Sequence, residues 1–242
     1  MFKVRNITKH HYELEKLQSG FTALHVLPIA LMALLFLASC DKHEDIDRAY
    51  TDYRYDIVTY LGQNDIGAVF EYLGHGDSAA VRMQSGVDIS KDATIQQRVL
   101  LRYDFADKTP SDHRTINVYG CNAIVSDSIR MTMDGPDSLP LHQVKLRSLW
   151  RTGEFINLHC QVEYTGKSRT FMLVADGNTL DDDTVHCYLA HGLRGASGTF
   201  WRDCYASFNV GALWKRPSFH CLRLHINDVT FPDTEYYDFT KQ

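Results

Sequence analysis

Nine consecutive residues, Ile156-Asn157-Leu158-His159-Cys160-Gln161-Val162-Glu163-Tyr164, alternate strictly between apolar and polar side chains. Side chains leave opposite faces of a strand at every step, so this run reads as a strand with Ile156, Leu158, Cys160, Val162 and Tyr164 inward and Asn157, His159, Gln161 and Glu163 on a wet face. A helix would scatter the same residues around its axis. Thr165-Gly166-Lys167-Ser168 supplies turn residues, and Arg169 to Ala175 reads as the returning strand of a hairpin.

The same period continues along the chain. Thr184 to His191, Phe200 to Val210 and Phe219 to Val229 are further candidate strands, and in the last of them His220, Leu222, Leu224 and Ile226 share a face opposite Cys221, Arg223 and His225. Strands at this spacing suggest an antiparallel β-sandwich. The earlier half carries Tyr53 to Leu61, Ala68 to Leu73, Ser78 to Met83, Gln97 to Phe105 and Thr115 to Ile124, five short strands that fit a small Greek-key barrel of the OB type. Asp134-Gly135-Pro136-Asp137-Ser138-Leu139-Pro140 is rich in turn residues, so the boundary is expected between residues 127 and 142. The resulting expectation is all-β, with a barrel over 49–130 and a sandwich over 131–242.

Before the strands comes a different kind of segment. Residues 21–37 read FTALHVLPIALMALLFL, with Lys3, Arg5, Lys9, His10, His11 and Lys16 ahead of them, which is the layout of a signal peptide over residues 1–39. Seventeen residues interrupted by Pro28 and followed by Ala38 and Ser39 suit cleavage better than spanning. Leu37-Ala38-Ser39-Cys40 resembles the lipobox of bacterial lipoproteins. The resemblance implies cleavage between Ser39 and Cys40, with diacylglycerol on the Cys40 thiol and the membrane as a partner through that lipid. Residues 40–48 then form a short acidic tether, Asp41-Lys42-His43-Glu44-Asp45-Ile46-Asp47 in its middle. It is similar to the acidic segment that directs some lipoproteins of the Bacteroides group to the cell surface, and it reads equally well as a solvated spacer.

This order of leader, lipobox, tether, barrel and sandwich resembles the NigD-like lipoproteins of the Bacteroides and Prevotella group. The likeness is carried by Gln97 to Tyr103, by Leu149-Trp150 to Tyr164, by Phe171-Met172-Leu173-Val174, by Asp181-Asp182-Asp183-Thr184, by Leu189-Ala190-His191 and by Leu222 to Asp228. It implies an N-terminal OB-like domain, a C-terminal β-sandwich, a place in the cell envelope at the outer membrane or on the surface, and a role in bacteriocin immunity.

Charge and composition narrow the partners. Of the chain's 25 basic and 30 acidic residues, 21 and 28 follow the leader, a net charge of −7 there. That balance disfavours nucleic acid and anionic lipid, both of which need clustered Lys and Arg. A 44% hydrophobic, 23% charged chain with six prolines is expected to pack as a globular protein. Tyr50, Tyr53, Tyr55, Tyr60, Phe70 and Tyr72 crowd the first half, with Trp150, Trp201 and Trp214 in the second. Such rings line saccharide sites on OB barrels and equally fill cores.

No reactive constellation stands out. Five cysteines follow Cys40: Cys121, Cys160, Cys187, Cys204 and Cys221. Their odd number leaves at least one unpaired within a chain; Cys160 and Cys187 read as small buried apolar groups, while Cys187 with Cys204, or Cys204 with Cys221, are candidates for bridging neighbouring strands. His186 and His191 beside Asp181, Asp182 and Asp183 form the densest group of ligand-type residues, without the spacing of a zinc or calcium site, and read as a solvated turn and strand face. Gly195-Ala196-Ser197-Gly198 lacks the spacing of a nucleophile elbow and reads as a turn. No catalytic residue, metal site or cofactor is assigned, and the ligand site is left open. The expected function is a non-catalytic binding lipoprotein with an envelope protein, bacteriocin or glycan as partner; immunity to a bacteriocin and a structural place in an outer-membrane assembly are the alternatives.

Overall fold

A computed structural model describes residues 53–91, 93–106, 111–167, 169–193 and 200–241. The leader, Ser39, Cys40, the tether and Gly195 to Gly198 lie outside these residues. No helix among the described residues is long and apolar enough to cross a membrane.

Strands β1 (Arg54–Gln63), β2 (Ala68–Leu73), β3 (Ala80–Ser85), β4 (Arg98–Phe105) and β5 (His113–Ala123) close into a barrel in the order β1-β2-β3-β5-β4. Val58, Tyr60, Ala68, Phe70, Met83, Val99, Leu101 and Tyr103 fill it, taken from alternate positions as the sequence period requires. At one end the Tyr103 hydroxyl donates to Asp56 Oδ2 at 2.9 Å, which gives the buried phenol a partner. The turn from β1 to β2 depends on Gly67, at φ +151°, where a Cβ would run into the Ser85 carbonyl oxygen.

The chain leaves the barrel at Ala123 and enters the sandwich at once. β6 (Val125–Ser128) runs parallel to β12 (Phe200–Asn209) on the edge of a four-stranded sheet, β6-β12-β9-β8, where β8 is Lys145–Thr152 and β9 is Phe155–Tyr164. After Ile129, β7 (Arg130–Thr132) lies on the edge of the other sheet, β14-β13-β11-β10-β7, with β10 (Thr170–Asp176), β11 (Thr184–Gly192), β13 (Cys221–His225) and β14 (Tyr237–Thr240). The crossing, between Ala123 and Val125, therefore comes about ten residues before the turn-rich stretch at 134–140. A one-turn helix, α1 (Gly211–Trp214), follows β12.

The fold is all-β, a closed barrel followed by a two-sheet sandwich. The hairpins β8–β9 and β10–β11 and the pair β9–β12 are antiparallel. The hairpin expected of residues 156–164 with 169–175 is not formed: β9 and β10 stand in opposite sheets, so the turn between them crosses from one layer to the other, a choice that strand alternation does not encode. The pairs β6–β12, β7–β10 and β11–β13 are parallel, so the sheets are mixed. The difference arises because each of these pairs joins strands far apart in the chain, so no tight turn between the two partners enforces reversal. Ile156, Leu158, Cys160, Val162, Leu173, Val185, Leu189, Phe208, Leu222 and Leu224 make the core between the sheets.

Candidate functional site

The four-stranded sheet has a second face, the one expected to be wet. Part of it is covered by the barrel. On β4 the residues between the inward Val99, Leu101 and Tyr103 point outward, and Arg98, at the start of the strand, stands beside Thr59 of β1. On the sandwich, Asn157 of β9 stands beside Ser207 of β12. The two register pairs face each other. Arg98 is 1% exposed, and its guanidinium donates to Ser207 Oγ (3.1 Å), Thr59 Oγ1 (3.0 Å), the Ile57 carbonyl (3.2 Å) and Asn157 Oδ1 (3.3 Å). Ser207 Oγ donates in turn to Asn157 Oδ1 at 2.7 Å, and Asn157 Nδ2 donates to Thr152 Oγ1 at 2.9 Å. The Phe155 ring lies 4.3 Å from the guanidinium carbon.

No carboxylate bonds this cation. Burial lowers its pKa to about 10, which leaves it charged at neutral pH, with the field of Glu71 acting the other way. Neutral oxygens and a ring face carry the compensation instead, a use to which a planar five-donor fork is suited and an ammonium is not.

A second contact ties the lobes. The loop after β2 reaches the β8–β9 turn, where the Gly76 amide donates to the Arg151 carbonyl (2.9 Å) and the Gly153 amide to the Gly76 carbonyl (2.7 Å). Arg151 grips Asp77 with both terminal nitrogens, at 2.6 and 2.7 Å, and lies over the Trp214 ring at 4.4 Å. The Arg151 hydrogen bonds hold the Asp77 carboxyl below its usual range. Asp77 is 61% exposed, so this ion pair adds little energy; the backbone bonds fix the geometry.

Between the lobes, above Arg98, opens a cleft of about 480 Å³. Thr59, Glu71 and Gln96 come from the barrel, and Ser126, Asp127, Ser128, Glu154, Phe155 and Asn209 from the sandwich. Its carboxylates are partly paired at the rim, Asp127 with Arg130 and Glu154 with Lys215, each at 2.8 Å. The arrangement offers hydrogen-bond donors and acceptors over a cationic floor, in a volume within the range of small-ligand sites.

The residues that looked most like ligands in the sequence are separated. His186 and His191 are five apart on one strand, which puts them on opposite faces. His186 Nδ1 lies 3.0 Å from His225 Nε2 on the outer face. His191 is fully buried with Nδ1 at 3.3 Å from the His142 carbonyl. Asp181 pairs with Arg216 and Asp183 with His220. The described residues contain no group of three or more His, Cys, Asp and Glu placed to hold a metal ion. The proposed cysteine bridges are not formed: Cys187 stands in the sheet opposite to that of Cys204, and Cys221 stands beside Thr184 and Thr240. Instead Cys204 faces Cys160. Of the aromatic residues, Tyr60, Phe70 and Trp214 are core, while Tyr55 is 60% exposed beside Arg102.

His191 makes a pH prediction. Burial lowers its pKa from the ordinary value of about 6.5, and its Nε2 is buried without a partner, so the folded chain keeps it neutral while the unfolded chain takes a proton. The unfolded state then binds more protons, and stability falls as pH drops through about 6.5 towards the lower folded value. Chemical denaturation at pH 7.5 and 5.0 is expected to show a smaller acid loss for His191→Phe than for the wild type. The remaining acid loss includes His225, lowered likewise by burial and then by His186.

No family model and no curated protein sequence matches the chain. Solved structures do. A protein of unknown function of the DUF1344 class from Bacteroides vulgatus aligns at TM-score 0.61 and 14% identity, over 78% of this chain and 90% of that one. A NigD-like immunity protein from Bacteroides caccae aligns at TM-score 0.54 and 18% identity, over 77% and 91%. The chain has the NigD-like fold. A candidate lipoprotein from Bacteroides fragilis aligns at TM-score 0.53 and 11% identity, over 78% and 96%, so the NigD-like arrangement of barrel and sandwich extends over nearly the whole of that protein as well.

Proposed function

We propose that the chain is a non-catalytic binding lipoprotein of the cell envelope, held by lipid on Cys40, which receives a polar partner in the cleft between barrel and sandwich. The observation that carries this reading is the cleft's construction: its walls come from two lobes that Arg98 and the Gly76 to Gly153 contact lock together, so the surface is set before a partner arrives. The lipobox at Leu37 to Cys40 supplies the anchor, and the candidate lipoprotein from Bacteroides fragilis with a similar fold supports it. The acidic residues Asp41 to Asp47 favour export to the outer membrane and its surface.

A photo-crosslinking amino acid at Gln96 or Ser126, the two sides of the cleft, tests the binding surface in intact cells, with Lys167 at the tip of the β9–β10 turn as control. A discrete adduct from both cleft positions and none from the control is expected. Adducts from the control alone, or turnover of a saccharide or peptide by the purified chain that one substitution abolishes, would overturn the reading.

Immunity to a bacteriocin is the second reading, favoured by the immunity protein among the structural neighbours. It makes a bacteriocin the cleft's partner, and it expects deletion of the gene to sensitise cells to one specific killer while leaving sensitivity to others unchanged.

A further inference from the structure

Two cysteines of the sandwich core are set face to face. β9 and β12 are antiparallel, with Cys160 directly opposite Cys204. Opposed residues of such a pair have Cα atoms ~4.5 or ~5.5 Å apart, inside the ~4.4–6.8 Å that a disulfide spans. Both side chains point into the sandwich core, Cys160 fully buried and Cys204 nearly so. The strands need not move for the sulfurs to meet. The register gives the other cysteines different neighbours: Cys187 stands beside Ala175 and Leu224, Cys221 beside Thr184 and Thr240, and Cys121 beside Leu101.

The pair is chemically unequal. The guanidinium groups of Arg169 and Arg202 favour the thiolate of Cys204, while burial holds Cys160 protonated. Cys204 is thus the attacking sulfur and Cys160 the resolving one.

We propose that Cys160 and Cys204 are a redox pair that closes to a cross-strand disulfide between β9 and β12 by exchange with an external disulfide. The Cys204 thiolate attacks one sulfur of the donor disulfide, forming a mixed disulfide and releasing one donor thiolate. Cys160 gives its proton to that leaving group and attacks Cys204 Sγ, expelling the second donor thiolate. The proton that Cys204 gave to solvent on ionising goes to the second donor thiolate; two thiols of the chain are oxidised and the donor disulfide is reduced to two thiols, so electrons and protons balance. The bond staples the sheet whose other face carries Asn157 and Ser207, the sandwich half of the junction with the barrel.

The test uses the full chain in detergent with oxidised glutathione as donor. One sample is treated folded and a second during refolding from urea; both are alkylated, digested without reduction and read by mass spectrometry. The expected product joins the Cys160 and Cys204 peptides, lacking the two thiol hydrogens, while Cys187 and Cys221 are alkylated. Cys187→Ser retains the link, and the linked protein melts several degrees higher than the alkylated one. Alkylation of both Cys160 and Cys204 in both samples, glutathione adducts without the link, or linkage to a different cysteine overturns the proposal. The decisive readout is on the wild-type chain, so it does not depend on a variant folding.

Discussion

Arg98→Ala is expected to cost ~3–5 kcal/mol of stability, because it strips donors from several buried acceptors at once and leaves a cavity at the junction. The orphaned groups are the Ile57 carbonyl, Thr59 Oγ1 and Asn157 Oδ1, the last keeping only its bond from Ser207. Arg98→Met restores volume without restoring donors and is expected to fall between Ala and the wild type. Arg98→Lys keeps the charge but not the fork, and is expected to recover less than half of the loss. Denaturant titration measures all three. Trp150, Trp201 and Trp214 all lie in the sandwich, so fluorescence follows that lobe while circular dichroism follows both. Coincident transitions in the wild type should separate in Arg98→Ala, since the substitution removes much of what makes barrel and sandwich unfold together. Coincident transitions and a loss below ~1 kcal/mol would show that the junction is held elsewhere.

Asp228→Ala is expected to cost ~2–4 kcal/mol, for a different reason. Asp228 is 5% exposed, and its Oδ1 accepts from the Leu146 amide (3.0 Å) and the Thr230 amide (2.8 Å), while Oδ2 accepts from the Tyr237 hydroxyl (3.3 Å). Leu146 lies next to the irregularity in the β8–β9 register, and Asp228 supplies the acceptor for its amide. The carboxylate thereby ties the segment after β13 to the edge of the other sheet, alongside the Val144 to Asn227 and Val229 to Val144 backbone bonds. Asp228→Asn retains an acceptor oxygen and should lose roughly half as much. A melting temperature lower by ~4–16 °C for Ala checks the larger effect. A change within ~1 °C would mean that the two amides find other acceptors.

What the sequence made legible followed from how far each residue's surroundings are local. Residues 156–164, 170–176 and 184–191 alternate because one face of each meets the core, and they form β9, β10 and β11 within a residue or two of the positions read from the pattern. The barrel strands were legible for the same reason. β7 was not: three residues, Arg130 to Thr132, are too short to show a period. Nor were β6 and β14, whose alternation spans only four residues each.

The site was less legible than the fold. Asn157 belonged to the wet face by its period, and it is on that face, yet it is fully buried because the barrel covers it. Burial there is decided by a domain contact, which no local pattern encodes. Arg98 opens an apolar strand as a charged residue does on any exposed face; only the pairing of β1 with β4 and of β9 with β12 shows that four polar side chains converge. Cys160 and Cys204 likewise needed the register, since 43 intervening residues separate them in the chain. The aspartates at 181–183 show the converse: adjacent in sequence, they turn to separate partners.

The proposed anchoring through Cys40 would set where the cleft is displayed, and it is tested most directly by growing cells that express the wild type or Cys40→Ala with a palmitate analogue and reading label and membrane fraction from the same lysate. Label on the wild type in the membrane fraction, with Cys40→Ala unlabelled, is the predicted result. A wild type that carries no label, or label that persists in Cys40→Ala, would contradict it and return residues 21–37 to an ordinary leader or anchor.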